Sequence, residues 1–167
     1  DGHITVQSIV GVGSEFSIYL PASPIKEVQK KGVGQMLLNG KGRILVMDDD
    51  VEIRKILGKM IKHMGYDVDF AQHGVEAIEL YMQSLHIGCP YDAVIMDLTI
   101  PGGMGGKETI RRLKNIDPNI RSIVSSGYSG NPIMTNYSDF GFCGFVAKPY
   151  KIQELSDALH NAIMINS

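Results

Sequence analysis

Tryptophan is absent from this 167-residue chain, and cysteine occurs only twice. Two thiols cannot build the multi-bridge framework of a small secreted domain. Cys89 and Cys143 lie far apart among apolar neighbours and read as small core residues in a reducing compartment, so a cytoplasmic location is expected. A basic excess is also missing. Sixteen Lys and Arg face 18 Asp and Glu, a formal net charge of −2, so no positive field invites nucleic acid or an anionic membrane surface. No apolar run approaches the ~20 residues that span a bilayer, and no signal peptide is visible. The five histidines show no His-x-x-x-His spacing and read as surface or packing residues. What is present, 44% hydrophobic and 20% charged residues, has the proportions of a globular domain rather than a disordered one.

Three stretches differ in character. Residues 1–21 alternate apolar and polar, as in Ile4-Thr-Val6 and Phe16-Ser-Ile18, around the turn signal Gly11-Val-Gly13-Ser14. This pattern predicts a β-hairpin with strands near 4–10 and 15–20. Residues 22–41 mix Pro, Lys, Gln and Gly without a period and predict a linker. From 42 to 167, apolar runs alternate with helical patterns. Strands are expected at 43–47, 68–71, 92–97, 121–126 and 143–147. Helices are expected at 51–64, 74–86, 106–115, 131–140 and 151–164. In the first of these, Ile53, Ile56, Leu57, Met60, Ile61 and Met64 share a side, and Gly65 follows as a C′ residue. The second can bury Val75, Ala77, Ile78, Leu80, Tyr81 and Leu85. Five βα units with short connections imply a flavodoxin-like, doubly wound α/β sheet of five parallel strands. Its expected order is 2-1-3-4-5.

Four of the strand runs end in polar residues, and open α/β sheets gather their chemistry at strand carboxyl ends. The first ends in Asp48-Asp49-Asp50, the third in Asp97, the fourth in Ser126 and the fifth in Lys148-Pro149. Capping helix 51–64 needs only one acid of the triplet, and Asp50 suits that part. Asp48 and Asp49 with Asp97 then form a hard-oxygen set of the kind Mg²⁺ takes, with Mn²⁺ as its substitute. Three carboxylates, one ammonium and one divalent cation sum to about zero. A phosphoryl group on Asp97 would replace one negative charge with roughly two. Lys148 and the Ser126 hydroxyl are the donors placed to meet that excess. Such a site works by positioning and charge neutralisation around in-line transfer, with Asp97 as nucleophile. Glycines in the loop 99–106 let backbone fold closely around it, and Gly127 leaves room for a donor.

In these motifs residues 42–165 resemble the receiver domain of two-component response regulators. Ile44-Leu-Val-Met-Asp-Asp-Asp carries the acid pair, Asp97 matches the phosphoacceptor, and Ser126 the hydroxyl switch. Lys148-Pro149 matches the lysine motif, and Phe145 the aromatic switch, where many members have Tyr; Phe145 reads equally well as a core aromatic. The resemblance implies Mg²⁺ held by Asp48, Asp49, Asp97 and the Thr99 carbonyl. It also implies a phosphohistidine donor on a histidine kinase domain or histidine phosphotransfer protein, and an output surface over 131–164.

Residues 1–21 resemble the last hairpin of the histidine-kinase ATP-binding domain, with its Gly-x-Gly-Ser-x-Phe turn and final Leu-Pro. The parent is then a hybrid sensor histidine kinase, membrane-attached or not. This chain would lack ATP binding and kinase activity, because the upstream nucleotide motifs and the phosphorylatable-histidine helix are missing from it. A bare hairpin is marginal in water, so it is expected to pair with a second copy or pack on the receiver; the 131–164 face is another route to a dimer. Three rivals fit less well. A haloacid-dehalogenase-type phosphatase resembles Asp-x-Asp at its nucleophile, and Thr99 stands in the second acid's place. Clustered carboxylates suit a flavin phosphate poorly. A P-loop fails because Glu108 follows Gly106-Lys107, and Pro101 stands where the first glycine belongs.

Overall fold

A computed structural model describes residues 2–22, 40–127 and 136–164. The chain divides into two units, residues 1–35 and 36–167. In the first, β1 (His3–Ile9) and β2 (Gly13–Tyr19) pair antiparallel, with Val6 opposite Phe16 and Ile4 opposite Ile18. Gly11 and Gly13 take positive φ in the turn, as the Gly-x-Gly signal requires. All four of those apolar side chains are about 60% exposed or more. The linker expected at 22–41 falls almost wholly outside the described residues.

The second unit holds β3 (Arg43–Met47), α1 (Val51–His63), β4 (Asp67–Ala71), α2 (Gly74–His86), β5 (Ala93–Asp97) and α3 (Gly106–Ile116). Then come β6 (Ser122–Ser126), a 3-10 turn (Tyr137–Phe140), β7 (Gly144–Ala147) and α4 (Ile152–Met164). The five strands are parallel in the order β4-β3-β5-β6-β7. Counted within the sheet, that is the expected 2-1-3-4-5. Of the helix expected over 131–140, positions 131–135 lie outside the described residues, and 137–140 form the 3-10 turn.

Why the strands read as unbroken apolar runs is visible in β3. Leu45 and Met47 enter one core with Ala77 and Tyr81 of α2 and Ile110 and Leu113 of α3. Ile44 and Val46 enter a second core with Leu57 and Ile61 of α1 and Leu155 and Leu159 of α4. Side chains alternate across a strand, so a sheet covered on both faces must be apolar at every position. Burying each of these aliphatic side chains contributes roughly 1.5–3 kcal/mol. The helix faces are narrower than their apolar content suggests: Ile56, Val75 and Leu85 are exposed. The cysteines divide: Cys143 packs, partly buried, against the second core, whereas Cys89, contrary to expectation, does not. Cys89 is exposed in the connection after α2, and Cys143 is half-buried, its Sγ 3.2 Å from the Ser122 carbonyl.

Candidate functional site

The site is assembled where β3 and β5, adjacent in the sheet, both end. On either side of this pair the chain order diverges, which opens a crevice at the strands' carboxyl ends. Asp48 continues β3 and is 1% exposed; its backbone N–H is held by the Ala71 carbonyl at 3.1 Å. Asp97 closes β5. Asp49 is exposed. One carboxylate oxygen from each of the three lies within 4.8 Å of the others.

Asp50 does what the triplet's third acid was expected to do. Its Oδ1 accepts the N–H groups of Glu52 at 2.7 Å and Ile53 at 3.3 Å, capping α1. Its own N–H donates to Asp48 Oδ1 at 3.0 Å, so the cap also orients the buried acid.

Lys148, just past β7, crosses to the cluster. Its ammonium donates to Asp48 Oδ2 and to Asp97 Oδ2, both at 2.6 Å. The three side chains are 17%, 2% and 12% exposed, so the pairing is largely shielded from water. Burial alone would lower the lysine pKa, but the two carboxylates outweigh it and hold the ammonium above its usual range. Burial is also the largest influence on Asp48 and lifts its carboxyl above the usual value, against Lys148 and the Asp50 N–H. Lys148 therefore does not fully offset the cost of burying the Asp48 charge.

The Asp97 carboxylate has a second donor, the Thr99 N–H, at 3.2 Å from Oδ1. The loop that follows packs close because it is glycine-rich. A Cβ on Gly105 would stand 2.4 Å from the Leu98 carbonyl oxygen, and one on Gly106 would stand 2.8 Å from that of Asp97. Ser126 ends β6, is 6% exposed, and its carbonyl accepts the Lys148 N–H at 3.0 Å. The space in front of Gly127 is open: among the described residues, a Cβ there would meet only Lys148 Cβ, at 4.0 Å. The Lys148-Pro149 peptide is cis.

Phe145 is not gathered into the crevice. It is 46% exposed and packs against the Tyr137 ring with centroids 5.5 Å apart, which rules out the core-aromatic reading. Two contributors escaped sequence reasoning. Arg54 of α1 donates to the carbonyls of Asp48 at 2.5 Å and Asp49 at 2.9 Å. Tyr150 bonds Ser125 at 2.6 Å directly behind the site. The Arg54 signal was a basic residue one turn into a helix after an acidic strand end.

Carboxylates, a bridging ammonium and a buried hydroxyl at the switch point of a 2-1-3-4-5 sheet define a phosphoryl-accepting α/β domain. The chain belongs to the response regulator receiver domain family, which matches residues 44–160. It is 31% identical over 125 residues to sporulation initiation phosphotransferase F of Bacillus subtilis, covering 75% of this chain and 96% of that protein. It is 29% identical over 164 residues to sensor kinase CckA of Brucella abortus; that match covers 93% of this chain but spans only 17% of the kinase. Its fold is also that of the receiver domain of sensor histidine kinase PA1611 from Pseudomonas aeruginosa, solved with magnesium coordinated in its active site cleft. That likeness has a TM-score of 0.64 at 22% identity, over 74% of this chain and 98% of that one. The chain is thus a receiver domain of two-component phosphorelay signalling, and nothing among these relatives supports the phosphatase alternative.

Proposed function

We propose that Asp97 accepts a phosphoryl group from a phosphohistidine, that Asp48 and Asp49 hold a divalent cation beside it, and that Ser126 and Lys148 sense the added charge. The observation that carries this is the Lys148 ammonium lodged between Asp48 and Asp97 inside a three-carboxylate cluster. A purely structural ion pair needs one acid, not three.

The donor set fits Mg²⁺. It is all oxygen, and its ligand atoms lie within 4.8 Å of one another, close enough to converge on one small hard cation. Asp48, Asp49, Asp97 and the Thr99 carbonyl are the proposed ligands, and Mn²⁺ would serve in place of Mg²⁺. The bound ion would supply positive charge to the phosphoryl oxygens and offset repulsion between them and the acids.

Everything else falls to the chain's own residues. An Asp97 carboxylate oxygen attacks phosphorus in line, the O–P bond forms as the P–N bond to histidine breaks, and the electron pair leaves with the imidazole nitrogen. Lys148 already touches the nucleophile and needs only to follow the charge onto a phosphoryl oxygen. Ser126 bonds another oxygen, and the exposed Phe145 turns toward the space this vacates. The surface over 131–164 then carries the signal.

We further propose that the parent is a hybrid histidine kinase and that residues 1–21 are the end of its ATP-binding domain. In support, the CckA match extends over 93% of this chain, well beyond residues 44–160. The donor would be a histidine kinase domain or a histidine phosphotransfer protein. Among the described residues no helix is long and apolar enough to cross a membrane. Acetyl phosphate with Mg²⁺ should add one phosphoryl group to the wild-type chain and none to Asp97→Asn. Full labelling of that variant would refute the assignment.

A further inference from the structure

Lysine is a flexible side chain that gives up substantial rotamer entropy when its ammonium is held in one place. Something must keep the Lys148 backbone where its ammonium meets both acids. Two residues on, the half-buried Tyr150 packs against the core that contains Ile95 and Leu155, and its hydroxyl lies 2.6 Å from Ser125 Oγ. Ser125 is 1% exposed. It faces Asp97 across the β5–β6 ladder, and its carbonyl accepts the Leu98 N–H at 2.9 Å.

Ser125 therefore holds two things at once. Its backbone fixes the strand end that carries Asp97, and its side chain fixes the segment that carries Lys148. The Lys148 N–H to the Ser126 carbonyl at 3.0 Å and the Lys148 ammonium to Asp97 at 2.6 Å close the ring of contacts. Packing does not explain the two hydroxyls. A phenylalanine would fill the Tyr150 space, and a hydroxyl on a fully buried strand costs free energy unless it is partnered.

We propose that the Tyr150–Ser125 hydrogen bond is a positioning contact that sets where the Lys148 ammonium stands relative to Asp97. This rests on the reading of Asp97 as phosphoacceptor. Tyr150 touches no reacting atom; it acts through Lys148.

Tyr150→Phe and Ser125→Ala, singly and together in the full chain, test it. Phosphorylation by acetyl phosphate under saturating Mg²⁺ is followed well below each variant's melting temperature. Solvent exchange of the Lys148 ammonium protons is followed by NMR on the same samples. Each single change should slow the maximal rate about fivefold at an unchanged half-saturating acetyl phosphate concentration. The double variant should be no slower than the worse single one. Ammonium exchange should quicken by a similar factor while exchange of the β3 and β5 core amides stays at the wild-type rate, a pattern that a loss of stability alone would not produce. Wild-type rate and wild-type ammonium exchange in folded Tyr150→Phe, with labelling still dependent on Asp97, overturn the positioning role alone. Labelling that survives Asp97→Asn overturns the phosphoacceptor reading and this proposal with it.

Discussion

Replacing Lys148 by methionine keeps much of the side-chain volume and removes the ammonium that bridges Asp48 and Asp97. Two carboxylates with oxygens within 4.8 Å are then left facing each other, one of them almost wholly buried. At an effective dielectric of about 20, that repulsion is on the order of 3 kcal/mol. Two charge-assisted hydrogen bonds are lost as well, and water entry with carboxylate rotation gives part of the cost back. The expected net loss is about 3 kcal/mol in urea unfolding at neutral pH with a chelator present, a large share of the roughly 5–15 kcal/mol of an ordinary domain.

The pH dependence identifies the cause. Burial already lifts the Asp48 carboxyl, and without Lys148 the Asp97 charge lifts it further. An acid with a raised folded pKa binds more protons folded than unfolded. Its stability is therefore greatest at low pH and declines as pH rises from the unfolded value through the folded one. The deficit of the variant should shrink as pH falls toward the carboxylate range. Mg²⁺ should also restore stability, by about 2.7 kcal/mol at a hundred times its dissociation constant. A deficit under about 1 kcal/mol, or one indifferent to both pH and Mg²⁺, would refute the account of the site as under-compensated acids.

Asp50→Ala removes the α1 cap and should cost about 1 kcal/mol by denaturant midpoint at unchanged slope. Gly105→Ala would drive a methyl to 2.4 Å from the Leu98 carbonyl oxygen. It should destabilise by roughly 1–3 kcal/mol and slow acetyl phosphate labelling as the loop beside Asp97 shifts. Burial raises the phenols of Tyr91 and Tyr150 to about 12, and the Asp69 hydrogen bond adds to the effect at Tyr91. The neutral phenols favour the fold, so their contribution is intact below about pH 10 and lost as pH rises from there to about 12, on the order of 2 kcal/mol for Tyr91. The tyrosinate absorbance that wild type shows and Tyr91→Phe lacks should rise over that window together with loss of near-UV circular dichroism. A Tyr91 difference signal complete near pH 10 in the folded protein would contradict it.

How much was legible beforehand differs between elements and contacts. Ile44–Met47, Ala93–Met96 and Ile123–Val124 announce buried parallel strands because burial on both faces leaves no polar position. Asp50 was legible as a cap because capping is a local matter between a side chain and the next two or three N–H groups. The apolar stripes of α1 and α2 were overestimated at Ile56, Val75 and Leu85, because periodicity tells which side faces inward but not how wide the contact is. Cys89 was misplaced for a related reason: apolar neighbours in sequence do not guarantee burial when the chain is leaving a helix.

By itself, then, the sequence determined the succession of strands and helices along the chain, a doubly wound parallel sheet of five strands and the set of polar residues at the strand ends. Those follow from local periodicity and from the handedness of βα connections. Only the tertiary structure decided which polar atoms meet. It put one lysine between two acids at 2.6 Å, turned Phe145 outward onto Tyr137, and joined Tyr150 to Ser125. Such contacts join residues far apart in the chain, and their geometry depends on how closely neighbouring strands and loops pack. A one-dimensional pattern of residue types does not contain that distance.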